Sequence, residues 1–359
     1  VLSGRCASHI QNIHLRRCMS CQNAKTIWTG KNGIFLIAEI GGNHEGDFEY
    51  AKRLTNMAIE SGVDAVKFQI YSAQSLVNPK ESLDRFNHFK KFELSRGQHI
   101  ELARICARNN VYYIASVWDI STLDWIDKHI GIYKIGSGDM TAYPVIKEII
   151  KKNKPTILAT GMSTLREVRG SVDFIASVNP RLMSEKKLAL LQCTSAYPTP
   201  DTDANLRVLV SLKRRLKLTI GYSDHTIGSL ALETAVALGA EILEFHFTDS
   251  RKGKVFRDHK ISLTPKEVVL LRRNISRISS FLGDGKKTVM PSEVYHRKTF
   301  RRALYPSNDL RKGKKVSGKD LVCLRPNHGI DARDYKEVLG KKVIKKVCKN
   351  QELSKNDFI

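Results

Sequence analysis

Leu218-Thr-Ile-Gly-Tyr-Ser-Asp-His225 and Ile242-Leu-Glu-Phe-His246 are two short apolar runs, each ending on a histidine. Between them lies a helix-like segment, roughly 227–238. Strand, helix, strand implies two neighbouring parallel strands, so His225 and His246 emerge side by side at one sheet edge. Two imidazoles converging there can hold a metal. They can equally be hydrogen-bonded structural histidines, and this stretch alone leaves both readings open.

Working outward, the same unit recurs. Strand-like runs stand at 34–39, 64–69, 111–116, 132–136, 155–160 and 188–193, and the two histidine runs make seven and eight. Helical patterns follow at 48–60 and 96–108, and one at 265–281 closes the series. Eight βα units over about 250 residues predict an α/β fold of the (β/α)8 TIM-barrel type. A doubly wound sheet is the alternative, but Gly41-Gly42 lacks the third glycine of the dinucleotide fingerprint. The barrel is expected over 33–284, with a polar linker at 285–297. A small β-rich domain is expected at 298–359, where Asn308-Asp309, Lys312-Gly313 and Ser317-Gly318 mark turns.

Residues 1–32 contain no Asp or Glu, and they are expected to lie outside the fold. Cys18 and Cys21 have metal-ligand spacing, but a zinc site needs a second pair; an organelle transit peptide or an inert extension are the other readings. The formal net charge of the 359-residue chain is +24. Its basic residues are spread along the chain without a nucleic-acid motif, which favours an anionic small substrate over nucleic acid. No apolar run is long enough to span a membrane. Seven cysteines, mostly inside apolar runs, suit buried thiols in a reducing compartment such as the cytoplasm.

In a TIM barrel the reactive groups sit at the C-terminal strand ends. Here those ends offer Glu39, Lys67, Gln69, Lys134, Ser137, Asp139, Thr160, Ser195, Tyr197, Ser223, His225 and His246, with Asp258 in the last loop. A barrel interior holds two lysines only if something neutralises them. Lysines, hydroxyls and a glycine turn make a phosphate site. Two histidines with oxygen neighbours suit Mn²⁺, Mg²⁺ or another divalent ion acting as a Lewis acid. Together they suggest joining a phosphorylated small molecule to an aldehyde or ketone.

Ile37-Ala-Glu-Ile-Gly-Gly-Asn-His-Glu-Gly46, Tyr133-Lys-Ile-Gly-Ser-Gly-Asp139, Gln192-Cys-Thr-Ser-Ala-Tyr-Pro198, Gly221-Tyr-Ser-Asp-His225 and Glu244-Phe-His-Phe-Thr248 resemble the sialic acid synthase family. Leu324-Arg-Pro-Asn-His-Gly329 resembles its C-terminal antifreeze-like (SAF) domain. The resemblance implies condensation of phosphoenolpyruvate with an N-acylated hexosamine of the mannosamine type, with phosphate lost by C–O cleavage. It implies His225 and His246 as metal ligands and Lys67, Lys134, Ser137 and Ser223 as phosphoenolpyruvate contacts. Glu39 would stand near the metal, and Tyr197 and Asp258 near the sugar. It further implies a domain-swapped homodimer in which Arg325 reaches the partner's sugar. Legionaminate and pseudaminate synthases are alternatives within the family, and a non-catalytic carbohydrate-binding relative is the alternative outside enzymes. Three departures stand out: Ser116-Val-Trp-Asp119 loses a hydroxyl, Ala159 replaces a serine, and Ser195 stands where asparagine is common.

Overall fold

A computed structural model describes residues 26–359. Nine strands form the large sheet: β1 Thr29–Gly30, β2 Gly33–Glu39, β3 Ala65–Ile70, β4 Tyr112–Val117, β5 Ile132–Ile135, β6 Thr156–Ala159, β7 Leu188–Cys193, β8 Thr219–Asp224 and β9 Ile242–His246. Strands β2 to β9 pair in parallel and in sequence order, and β2 also pairs with β9. The parallel sheet is thereby closed, with helices between its strands, which is the (β/α)8 barrel the pattern predicted. The described residues divide into two compact units, 26–283 and 284–359.

Side chains alternate across each barrel strand. Leu36 and Ala38, Val66 and Phe68, Ala115 and Val117, and Leu243 and Phe245 face outward into one core beneath the helices. Phe35, Ile37, Ala65, Ile114, Ile132, Ile157, Leu191 and Ile242 form a separate cluster that fills the lower barrel. Trp28 completes that cluster at 1% exposure, and its indole N–H donates to the Lys186 carbonyl at 2.9 Å. Strand β1 turns back antiparallel on β2, while Asp64 accepts from the backbone N–H groups of Lys31 and Leu36. The expectation that 1–32 lies outside the fold is therefore corrected for 26–32: an indole is too large an apolar surface to leave in water beside an open barrel floor. The Cys18–Cys21 reading lies outside the described residues. Of the described cysteines all four are free; Cys106 and Cys193 are buried, but Cys323 and Cys348 are exposed.

The second unit pairs β10 (Ala303–Pro306) with β11 (Leu321–Leu324) antiparallel. Leu304, Leu310, Val316, Ile330, Val338, Val343, Val347 and Leu353 form its own core. The stretch expected as linker is structured in its second half, with a 3₁₀ turn at Pro291–Glu293 and a helix at Val294–Thr299.

Candidate active site

Halfway up the barrel the inward-facing residues change character. On β9 the inward order is Ile242, Glu244, His246; on β5 it is Ile132, then Lys134; on β2 it is Phe35, Ile37, Glu39. The apolar lower layer thus gives way to a charged upper one at the C-terminal strand ends. These groups line a cavity of about 700 Å³ that is equally lined by Gln69, Ser137, Asp139, Ser195, Tyr197 and Asp258.

Two carboxylates neutralise the two buried lysines. Lys67 Nζ lies 2.5 Å from Glu39 Oε2 and 3.8 Å from Glu244 Oε1. Glu244 Oε1 also accepts from Lys134 Nζ and Ser223 Oγ, each at 3.1 Å. All four charged side chains are at most 6% exposed. Burial raises Glu39, although Lys67 opposes it. Burial also presses on Glu244, but Lys134 and Lys67 outweigh it and hold that carboxyl below its usual range. Lys67 in turn stays charged: burial disfavours it, and Glu244 and Glu39 more than compensate. Glu244 is the functional residue the sequence reading missed. The signal was available, because it stands two residues before His246 and therefore faces the same way.

Around the lysines lie neutral donors. Ser137 Oγ accepts from the Gly161 backbone N–H at 3.0 Å. A Cβ on Gly161 would stand 2.5 Å from Ser195 Oγ and 2.8 Å from Ser137 Oγ, so only glycine lets the two hydroxyls converge. Asp139 sits at the rim of this group, its carboxyl raised to about 6 by burial. Thr160 behaves otherwise: its hydroxyl donates to the Leu191 carbonyl at 3.0 Å and it does not line the cavity. Val117 packs outward among the helices, so the hydroxyl lost there would not have pointed into the cavity. Ala159 does line it.

Across the mouth, His225 and His246 stand with ring centroids 5.3 Å apart. Tyr197 packs at a 34° tilt, 4.1 Å from His225, and meets His246 edge-on. The Nδ1 atom of His225 lies 2.8 Å from the Thr194 carbonyl; donating there leaves Nε2 with its lone pair free. His246 is held neutral, its pKa pushed down to about 3 by burial, and its Nδ1 has no hydrogen-bond partner and lies 3.8 Å from Asp258 Oδ2. Burial opposes charge on His225, but its contact with Cys193 outweighs burial and raises its pKa. It is therefore in its deprotonated form that His225, beside the unpartnered nitrogen of His246, fits a partial metal site. Among the described residues no group of three or more His, Cys, Asp or Glu side chains is arranged to hold a metal, so water or substrate would have to complete the ligand shell. Arg325 is exposed in the second unit, its guanidinium 5.8 Å from the centre of the Phe300 ring.

A closed parallel barrel with buried lysines, carboxylates and imidazoles gathered at the C-terminal strand ends has the layout of a TIM-barrel enzyme. The chain belongs to the NeuB family, whose pattern matches residues 54–287, and it carries a SAF domain at 301–359. It is 36% identical over 331 residues to the N,N'-diacetyllegionaminic acid synthase of Campylobacter jejuni, covering 89% of this chain and 98% of that protein. It is 30% identical over 330 residues to human N-acetylneuraminate-9-phosphate synthase, covering 88% and 90%. The crystal structure of the N-acetylneuraminic acid synthetase of Leptospira borgpetersenii, in complex with citrate, superposes with a TM-score of 0.66 at 31% identity, over 73% of this chain and 90% of that one. The protein is a sialic acid synthase-type enzyme.

Proposed function

We propose that the enzyme condenses phosphoenolpyruvate with an N-acylated hexosamine of the mannosamine type to give a nonulosonate and inorganic phosphate. The observation that carries this reading is the Lys67–Glu39–Glu244–Lys134 network at the base of the cavity. It is a pair of buried cations held in place by carboxylates before any anion arrives, which is preorganisation for a phosphate and a carboxylate. Lys67 and Lys134 bind the phosphoenolpyruvate, with Ser137, Ser195 and Ser223 as hydroxyl contacts; Thr160 supports this wall through its backbone contact. Gln69 donates to Glu39 Oε1 at 3.0 Å and fixes that carboxylate.

Carbon three of the enol attacks the aldehyde carbon, whose oxygen takes up a proton to become a hydroxyl, and water adds to the cation left at carbon two. Asp139 takes the water's proton, and the tetrahedral intermediate then loses phosphate with C–O cleavage. His225 and His246 would hold a divalent ion, Mn²⁺ or Mg²⁺, which when bound polarises the aldehyde carbonyl. Tyr197 and Asp258 face the acceptor beside these imidazoles. By the family resemblance the working unit is a homodimer with swapped SAF domains, in which Arg325 of one chain contacts the sugar held by the other.

The test is phosphate release from phosphoenolpyruvate in the presence of Mn²⁺ and a panel of N-acylated hexosamines, free and 6-phosphorylated, with the product identified by mass. A nonulosonate mass with stoichiometric phosphate is the expected result. Absence of turnover across the panel, with phosphoenolpyruvate still bound, would favour the non-catalytic carbohydrate-binding reading.

A further inference from the structure

Trp118 directly follows the last residue of β4. Its indole N–H is buried beside the Asp139 carboxyl, whose rise on burial it opposes, but it has no partner at full hydrogen-bond geometry among the described residues. The residue lines the cavity. Indole nitrogen only donates, and a buried donor left unpaired is costly. The strand's alternation aims it inward: Ser116 and Trp118 line the cavity, while Val117 packs into the outer core.

The ring is held firmly. Tyr71 packs against it with centroids 5.3 Å apart at 30°, and Phe89 meets it edge-on at 6.2 Å. Its backbone N–H donates to the Ile70 carbonyl at 2.9 Å. Asp139 is a near neighbour: a Cβ on Gly136 would stand 3.5 Å from Asp139 Oδ2 and 3.8 Å from the indole nitrogen. Strand β4 runs between β3, which carries Lys67, and β5, which carries Lys134, with Ser116 in register with both Gln69 and Lys134. The donor therefore stands beside Asp139, over the gap between the two lysine strands, where an anion would enter.

We propose that Trp118 is a substrate-binding residue whose indole N–H donates to an anionic oxygen of phosphoenolpyruvate, on its carboxylate or its phosphoryl group. This rests on the function proposed above. The donor is neutral, so it adds direction without adding charge to a site already occupied by two lysines.

Trp118→Phe keeps an aromatic ring against Tyr71 and Phe89 and removes only the donor. In the full-length enzyme it should weaken phosphoenolpyruvate roughly ten- to a hundredfold, while leaving the acceptor KM and the melting temperature near wild type. The chain has three tryptophans, so the indole N–H resonance lost in the variant is that of Trp118. In the wild type this resonance should shift on adding phosphoenolpyruvate and stay put on adding acceptor alone. Inorganic phosphate and pyruvate, added separately, then report which end of the molecule it touches. A Trp118→Phe enzyme with unchanged phosphoenolpyruvate affinity, or a resonance that ignores phosphoenolpyruvate, overturns the assignment. If calorimetry shows that the wild type does not bind phosphoenolpyruvate at all, the proposed function fails with it; binding without any response at Trp118 sinks only this inference.

Discussion

At the scale of single residues, the two buried ion pairs make a separable prediction. Lys134→Met removes a cation while retaining bulk, and leaves Glu244 with only the more distant Lys67 at 3.8 Å. Removing one partner of a buried pair costs about 3–5 kcal/mol of stability, which calorimetric or denaturant unfolding would register. Lys134→Met combined with Glu244→Gln should recover part of that stability, because the stranded charge is gone, yet it should not recover phosphoenolpyruvate binding. If the double variant binds as the wild type does, the lysine is structural. Asp139 gives a second prediction. Burial raises its carboxyl to about 6, so a role as proton acceptor requires activity to fall as pH drops below that value. The acid limb of kcat/KM should stand near pH 6 and vanish in the residual activity of Asp139→Asn. The stability sign is opposite: the native state keeps the proton more tightly than the unfolded chain. Stability therefore declines as pH rises from the ordinary aspartate range through about 6, and the Asn variant should lack that decline.

At the scale of elements, what could be read from the sequence was what repeats. Apolar strands ending in polar residues announced the barrel; His225 and His246 were legible because each closes such a run, and Lys67 and Lys134 because a charge inside an apolar strand needs a reason. Glu244 was hidden inside the run Ile242–His246, where it looked like one polar residue in an apolar strand; only the inward period of two separates it from Leu243 and Phe245. Thr160 shows the converse, since being polar at a strand end says nothing of which way a hydroxyl turns, and this one turns to the Leu191 carbonyl. The helix Leu83–Phe92, which supplies Arg85, His88, Phe89 and Phe92 to the cavity wall, lies between the strand run at 64–69 and the helical pattern at 96–108, where no element was expected. Phe89 and Phe92 face the cavity while Leu83 is exposed, so the helix lacks a core helix's continuous buried stripe. Strand β1 was missed because two residues carry no period at all. Trp28 beside it leads to a third prediction: Trp28→Ala, which empties the barrel floor, should cost about 3–5 kcal/mol and lower the melting temperature. A variant as stable as the wild type would mean that the floor is sealed by β2 to β9 alone.

At the scale of the whole molecule, the question is whether one chain completes its own site. The barrel unit supplies both lysines, both imidazoles and the hydroxyls, so binding of phosphoenolpyruvate should need nothing from the second unit. The sugar is a different case, because the proposed swapped dimer places the partner's Arg325 against it. A guanidinium offers a planar fork for sugar oxygens or a carboxylate, and Arg325 is exposed with no ion-pair partner among the described residues. Two lesions can then be sorted by chain. Chains carrying Arg325→Ala and chains carrying His225→Ala should each be inactive or nearly so when homodimeric. In a mixed dimer one site receives both lesions and the other receives neither, since the intact barrel meets the intact arginine. Re-equilibrated equimolar mixtures contain about half mixed dimers by random pairing, each with one whole site of two, so roughly a quarter of wild-type activity should return. Should the mixtures stay at the parental level while sedimentation shows that subunits have exchanged, Arg325 serves the barrel of its own chain or none.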